Sequence, residues 1–294
     1  MVFKLHTLFL IAALFSVIAC KKNTNDSVSE TPELPEEPKT PDAPAGITLR
    51  ADGPGNTYSL INSILGGTAY EVPDCAHTQE HISELYDNEL KTNVFVFSIH
   101  TSQDNDRCEN FDRQRNEIKT YGPSNEKLKA TIGETVTYRW KFKIDASFQA
   151  SPSFCHIHQI KAGDGDDGNP IITITPRYGA NNTDKMELIH IGSDNVTHKV
   201  KTVDLAPFKG TWVEVTEKMK YATNGTYSVQ IKRISDGQTL LSYDNQNIDL
   251  WRNGTTFCRP KWGIYRSLNS VSYLRDEDVR FADFCIAEGN AVCQ

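Results

Sequence analysis

The chain has 294 residues, a formal net charge of −7 and 38% hydrophobic residues. The negative balance argues against nucleic acid as a partner, and the length suits one or two domains. Seven cysteines occur without a C-x-x-C pair, which argues against a cysteine-based zinc site.

Residues 1–19 read as a secretory signal. Lys4 precedes the apolar run "TLFLIAALFSVIA", which is too short for a membrane span. The stretch "VIAC" resembles the lipobox of bacterial lipoproteins. It makes Cys20 the expected lipidation site and the protein an exported lipoprotein, at the outer membrane, on the cell surface or facing the periplasm. Contact with a membrane is expected through this anchor only. Residues 20–46 are rich in Pro, Ser, Thr and acids and have almost nothing apolar to bury, so they read as a disordered tether. A single folded domain is expected over 47–294. Setting Cys20 aside, Cys75, Cys108, Cys155, Cys258, Cys285 and Cys293 permit disulfides in an exported chain, with fifteen pairings open.

Two short stretches, 57–67 and 81–90, have helical spacing. Period-two segments then dominate: "NVFVFSIH" (93–100), "ETVTYRWKFKI" (134–144), "PIITITPRY" (170–178), "KMELIHI" (185–191), "WVEVTEKMKYA" (212–222) and "TYSVQIKRI" (226–234). Asn224-Gly225 and Asp236-Gly237 are turn signals between strands. Many short strands without βαβ alternation predict an all-β, two-sheet sandwich or jelly roll. A concave sheet of such a fold would offer a groove to an extended polymer.

Three further strands carry unusual polarity. In "DRQRNEIKTY" (112–121), alternation puts Arg113, Arg115, Glu117 and Lys119 on one face. Glu117 could orient an arginine whose guanidinium fork meets an anionic sugar. In "SPSFCHIHQIKAG" (151–163), His156 and His158 share a face. Gln159 and Lys161 fall on the opposite face unless a bulge shifts the register. The His-x-His spacing suits a metal, but no third ligand is evident, so no metal site is assigned. In "RPKWGIYRSLN" (259–269), Lys261, Gly263, Tyr265 and Ser267 share one face, and Trp262, Ile264 and Arg266 the other.

Arginine, histidine and tyrosine on one sheet suit β-elimination at a uronate. The proton next to the sugar carboxylate is abstracted only once that charge is neutralised, which Arg, His or Gln can do. A base removes the proton and an acid protonates the departing 4-linked oxygen; Tyr and His are natural candidates.

"R115-N-E-I118", "H156-I-H158" and "K261-W-G-I-Y265-R-S267" resemble, in order, the Arg-(Ser/Thr)-Glu-Leu, Gln-(Ile/Val)-His and Lys-Ala-Gly-x-Tyr-Asn-Gln motifs of the family 7 alginate lyases. His156 stands where that family has Gln, and Arg266-Ser267 replaces Asn-Gln. The whole set is closer to the family 20 glucuronan lyases, and residues 210–243 are similar to a hairpin region shared with the heparin lyase I group. The resemblance implies a concanavalin-like β-jelly roll that cleaves a 4-linked, glucuronan-like uronate polymer, with alginate the alternative. It also implies catalytic roles for Arg115 (carboxylate contact), His158 (neutralisation or base), Tyr265 (acid and base) and His156 (in place of the motif Gln). Arg113, Glu117, Lys119, Gln159, Lys161, Lys261 and Arg266 are the expected substrate-binding residues. No cofactor is required on this reading. The acidic, Gly-rich loop "KAGDGDDGNP" (161–170) is a candidate structural calcium site. A surface glycan-binding lipoprotein using the same groove without cleavage, and a glycoside hydrolase, are the competing functions. The hydrolase needs two spaced carboxylates that no strand supplies.

Overall fold

The computed structural model describes residues 43–179 and 183–294. The signal peptide, Cys20 and the tether up to residue 42 lie outside the described residues. Ala45 bridges to Val292, and Gly46 N–H donates to Val292 O at 2.8 Å, so the folded body takes in the end of the expected tether.

The period-two segments form two antiparallel sheets. The first sheet runs in the order β13 (Thr239–Ile248), β12 (Gly225–Arg233), β11 (Val213–Lys220), β6 (Thr135–Ile144), β15 (Glu277–Glu288), β4 (Thr92–Ile99) and β3 (Ile82–Asp87), and β1 (Ile47–Leu49) also pairs with β15. The second runs β10 (Thr197–Asp204), β9 (Lys185–Ile191), β8 (Ile172–Arg177), β7 (Cys155–Ala162), β14 (Cys258–Ser267), β5 (Arg113–Lys119) and β2 (Tyr70–Glu71). This is the expected jelly-roll sandwich. Helix α1 (Thr57–Leu65) forms where helical spacing was read. The stretch 81–90 does not: it is β3, paired along its length with β4, because sheet pairing outweighs a weak local period.

Of the six cysteines, Cys75–Cys108 and Cys285–Cys293 are bonded, while Cys155 and Cys258 are free and buried. The core is aromatic: Tyr138, Trp140 and Phe142 from β6 meet Phe281 and Phe284 from β15 and Trp262 from β14. One polar pair crosses it. His158 of β7 points into the sandwich, fully buried, with Nε2 2.9 Å from Glu217 Oε2 on β11 and Nδ1 2.9 Å from Lys261 O. Its ring packs against Trp140 and Trp262. Tyr227 donates to Glu217 Oε1 at 2.6 Å. Burial acts to raise the Glu217 carboxyl, but His158, Tyr227 and Trp140 outweigh it and hold the group below the usual carboxylate range.

The pair joins one sheet to the other, so breaking it strands a buried polar group. Glu217→Ala should cost about 3–5 kcal/mol in denaturant unfolding; a loss under about 1 kcal/mol would contradict the assignment. Because the folded carboxyl is depressed, its contribution is fully present above the unfolded value of about 4.3. It fades as pH falls below that value. The gap between wild type and Glu217→Gln should therefore narrow on acidification.

Candidate active site

The three polar strands are neighbours. β14 lies between β7 and β5, with Tyr265 opposite Arg115 on one side and His156 on the other. Alternation on β5 and β14 is regular. Arg113, Arg115, Glu117 and Lys119 point outward with Lys261 and Tyr265, while Gln114, Asn116, Ile118, Trp262, Ile264 and Arg266 point into the sandwich. Between Trp262 and Tyr265 the β7–β14 register shifts. On one side of the irregularity His156 faces outward beside Tyr265. On the other, Gln159 pairs with Lys261 and faces outward, leaving His158 inside with Trp262. The two histidines of the His-x-His stretch thus lie on opposite faces, and a catalytic role for His158 is corrected: no substrate reaches it.

Gly263 makes this crossing possible. Its φ is +147°, and a Cβ there would meet Asn116 O and, at 2.7 Å, Glu117 Cα. The glycine serves close backbone approach between β14 and β5.

Tyr265 is the half-buried centre of the outer face. The Arg115 guanidinium carbon lies 3.7 Å from its ring centroid, and Arg113 Nη1 donates to its hydroxyl at 2.9 Å. A hydroxyl that accepts from a cation keeps its own proton free to donate. Across the strand, the His156 and Tyr265 ring centroids are 6.1 Å apart, and Phe154 stacks on His156. Thr175 Oγ1 lies 2.6 Å from His156 Nδ1 and donates its own proton to Thr173 Oγ1 at 3.3 Å. Thr175 must therefore accept from Nδ1–H, which leaves Nε2 as the basic nitrogen. Burial, reinforced by Arg177, Arg115 and Lys261 against the pull of Glu117, pushes the His156 imidazolium down to about 3, so the ring is neutral.

Below these groups lies a charge network that sequence reading saw only in part. Arg115 contacts Asp106 (2.8 Å), Glu117 (2.7 Å) and Glu71 (3.4 Å). Lys261 contacts Glu71 and Glu117, the latter at 2.8 Å. Lys119 reaches Glu71 at 2.7 Å, and Arg107 joins Glu71 and Asp106. Gln159 donates to Glu117. Burial acts to raise the Glu71 and Glu117 carboxyls, yet Lys261 and Arg115 hold Glu71 well below the usual range and Glu117 below it.

These contacts correct several expected roles. Glu117, Gln159 and Lys261 are 1–2% exposed, with their polar groups engaged inside the network, so they support the surface rather than touch substrate. Lys119 is held by Glu71. Arg266 is 1% exposed on the inner face, where it donates to Gln114 Oε1 and Arg275 O. Arg113 and Lys161 remain accessible on the outer face. Among the described residues the Lys161 side chain makes no hydrogen bond or ion pair, and that of its ladder neighbour Arg259 has only Thr120 O at 3.3 Å. Glu71, Asp106 and Arg107 were missed because they lie in a two-residue strand and a loop that carry no period. Thr175, on β8, was missed because its segment reads as an ordinary buried strand. In the 161–170 loop, Asp164 is bonded to Thr256 and Asp166 to Arg252 and Asn195, so two of its carboxylates are already engaged within the protein.

A family model described as polysaccharide lyase matches residues 87–282. No curated protein matches the chain. Among solved structures, an endo-β-1,4-glucuronan lyase from the fungus Trichoderma reesei aligns with TM-score 0.53 and 16% identity, over 74% of this chain and 89% of that one. A family 7 alginate lyase in complex with substrate aligns with TM-score 0.50 and 16% identity, over 76% and 94%. The alginate lyase Aly36B aligns with TM-score 0.56 and 10% identity, over 85% and 99%.

The Gly263 geometry generates a direct test. Gly263→Ala should destabilise by more than about 1 kcal/mol, lowering the melting midpoint by about 2–4 °C or more. A melt identical to wild type would show that the strands do not approach as described.

Proposed function

Because the chain belongs to the polysaccharide lyase family and is a lyase, we propose that the outer face around Tyr265 cleaves a 4-linked, glucuronan-like uronate polymer by β-elimination. The observation that carries this reading is the Tyr265 hydroxyl held by Arg113, over the Arg115 guanidinium, with neutral His156 across from it. Arg113 neutralises the sugar carboxylate as charge develops on it. His156 Nε2 removes the proton at C5. Tyr265 gives its proton to the O4 leaving group, and the C4–O bond electrons leave with that oxygen while the C4–C5 double bond forms. Arg115 acts through Tyr265, whose ring it fixes. Lys161 and Arg259, which lack carboxylate partners, supply a neighbouring subsite for a second uronate. The motif set, closer to that of the family 20 glucuronan lyases than to that of family 7, favours a glucuronate chain, with alginate the alternative. The two disulfides support an oxidising, extracytoplasmic compartment for an exported, tethered enzyme.

The test is a panel of glucuronan, alginate, ulvan and heparinoids, followed by ultraviolet absorbance of unsaturated sugar ends. The signal should grow on glucuronan, and Tyr265→Phe should lower kcat by about 100- to 10,000-fold with polymer affinity kept. Polymer binding without new absorbance on any substrate would favour the glycan-binding alternative. Since His156 stays neutral down to about 3, kcat/KM should show no acid limb from an ordinary histidine near 6.5. Such a limb in the wild type would contradict the depressed His156 imidazolium.

A further inference from the structure

We infer that the loops at residues 72–81 and 100–112 form a structural zinc-class metal site, with His77, His81, His100 and Asp104 as ligands. One donor atom from each of the four lies within 4.8 Å of all the others. His77 Nε2 and His81 Nε2 converge on Asp104 Oδ1 at 2.8 and 3.0 Å, and His100 Nδ1 is 3.3 Å from Asp104 Oδ2. Four ligands on a tetrahedral ion with bonds near 2.0 Å stand about 3.3 Å apart, so small side-chain shifts admit the ion.

The surrounding bonds prepare His81 as a ligand. Its Nδ1 lies 2.5 Å from Asp74 Oδ1, and Tyr58 donates to the other Asp74 oxygen at 2.6 Å. Asp74 and Asp104 can only accept, so both His81 ring nitrogens donate in the metal-free protein; a metal ion would take the place of the Nε2 proton while Asp74 keeps the one on Nδ1. The carboxylate–histidine arrangement is the one that orients metal-bound imidazoles. Three imidazoles and one carboxylate suit zinc better than calcium or magnesium. Four protein ligands fill a tetrahedron, which makes the site structural rather than catalytic. His81 and Asp104 are fully buried, while His77 and His100 are partly exposed and give the ion a way in.

The site braces the active face from behind. Gln114 and Asn116, on the inner face of β5, donate to the carbonyls of His100, Asp104 and His81. Cys75–Cys108 ties the same two loops, and Asp106, two residues beyond Asp104, clamps Arg115. This inference is independent of the lyase chemistry, and activity is not its readout.

The experiment uses the purified full chain, stripped with a chelator, dialysed, and titrated with Zn(II) or Co(II) alone. We expect one zinc per chain, visible ligand-field bands of tetrahedral cobalt, and a melting midpoint that rises on metal addition. His100→Ala, at a partly exposed position, should weaken zinc binding about tenfold or more, and Asp74→Asn about 10- to 100-fold. No retained zinc and no cobalt bands would overturn the site and leave protons between the rings and the carboxylates. Zinc bound with unchanged affinity in both variants would overturn it too, by placing the metal elsewhere.

Discussion

Beneath Tyr265, three carboxylates (Glu71, Asp106 and Glu117) and four cations (Arg107, Arg115, Lys119 and Lys261) are packed into one network, and the outer face depends on it. Burying so many charges is costly unless each finds partners, and here each does. The return is geometric. Arg115 cannot leave the Tyr265 ring without abandoning carboxylates on three sides. Arg113, hydrogen-bonded to Asp112 and the tyrosine hydroxyl and lying over the Phe154 ring, is partly exposed and free enough to meet an anion. One arginine is therefore a fixture and the other a hand.

The same constraint explains the division between the two histidines. The register irregularity opposite Gly263 turns Gln159 outward to Glu117 and leaves His158 inside with Glu217. β7 thus completes two polar networks, one on each side of the sheet. His156 is left on the outer face, where Thr175 fixes its tautomer and burial, helped by the surrounding cations, keeps it uncharged. β5 has a similar double duty: its outward residues build the candidate active face, and its inward amides hold the loops behind it.

Much of this was legible from alternation. Period two found most of the strands of both sheets, and it put Arg113, Arg115, Lys261 and Tyr265 on the faces they occupy. It misread 81–90 as helical because Ile82, Leu85 and Leu90 recur at helical spacing while β4 decides the pairing. It misplaced His158 because a bulge inverts parity and leaves no mark in the sequence beyond a glycine on the neighbouring strand. It could not separate contact from support either. Lys261 and Arg113 read alike until the positions of Glu71 and Glu117 are known, and Glu71 reaches Lys261 from a strand of two residues. Loop residues such as Asp106 and His77 follow no period and become partners only through the fold.

The buried network sets the geometry of the proposed reaction without touching the substrate. Turnover of Glu117→Gln on glucuronan, measured beside its polymer affinity and its unfolding midpoint, tests this most directly. The expected result is a kcat lower by about tenfold or more in a variant that stays folded and binds polymer as wild type does. Wild-type turnover in a folded Glu117→Gln protein would contradict it.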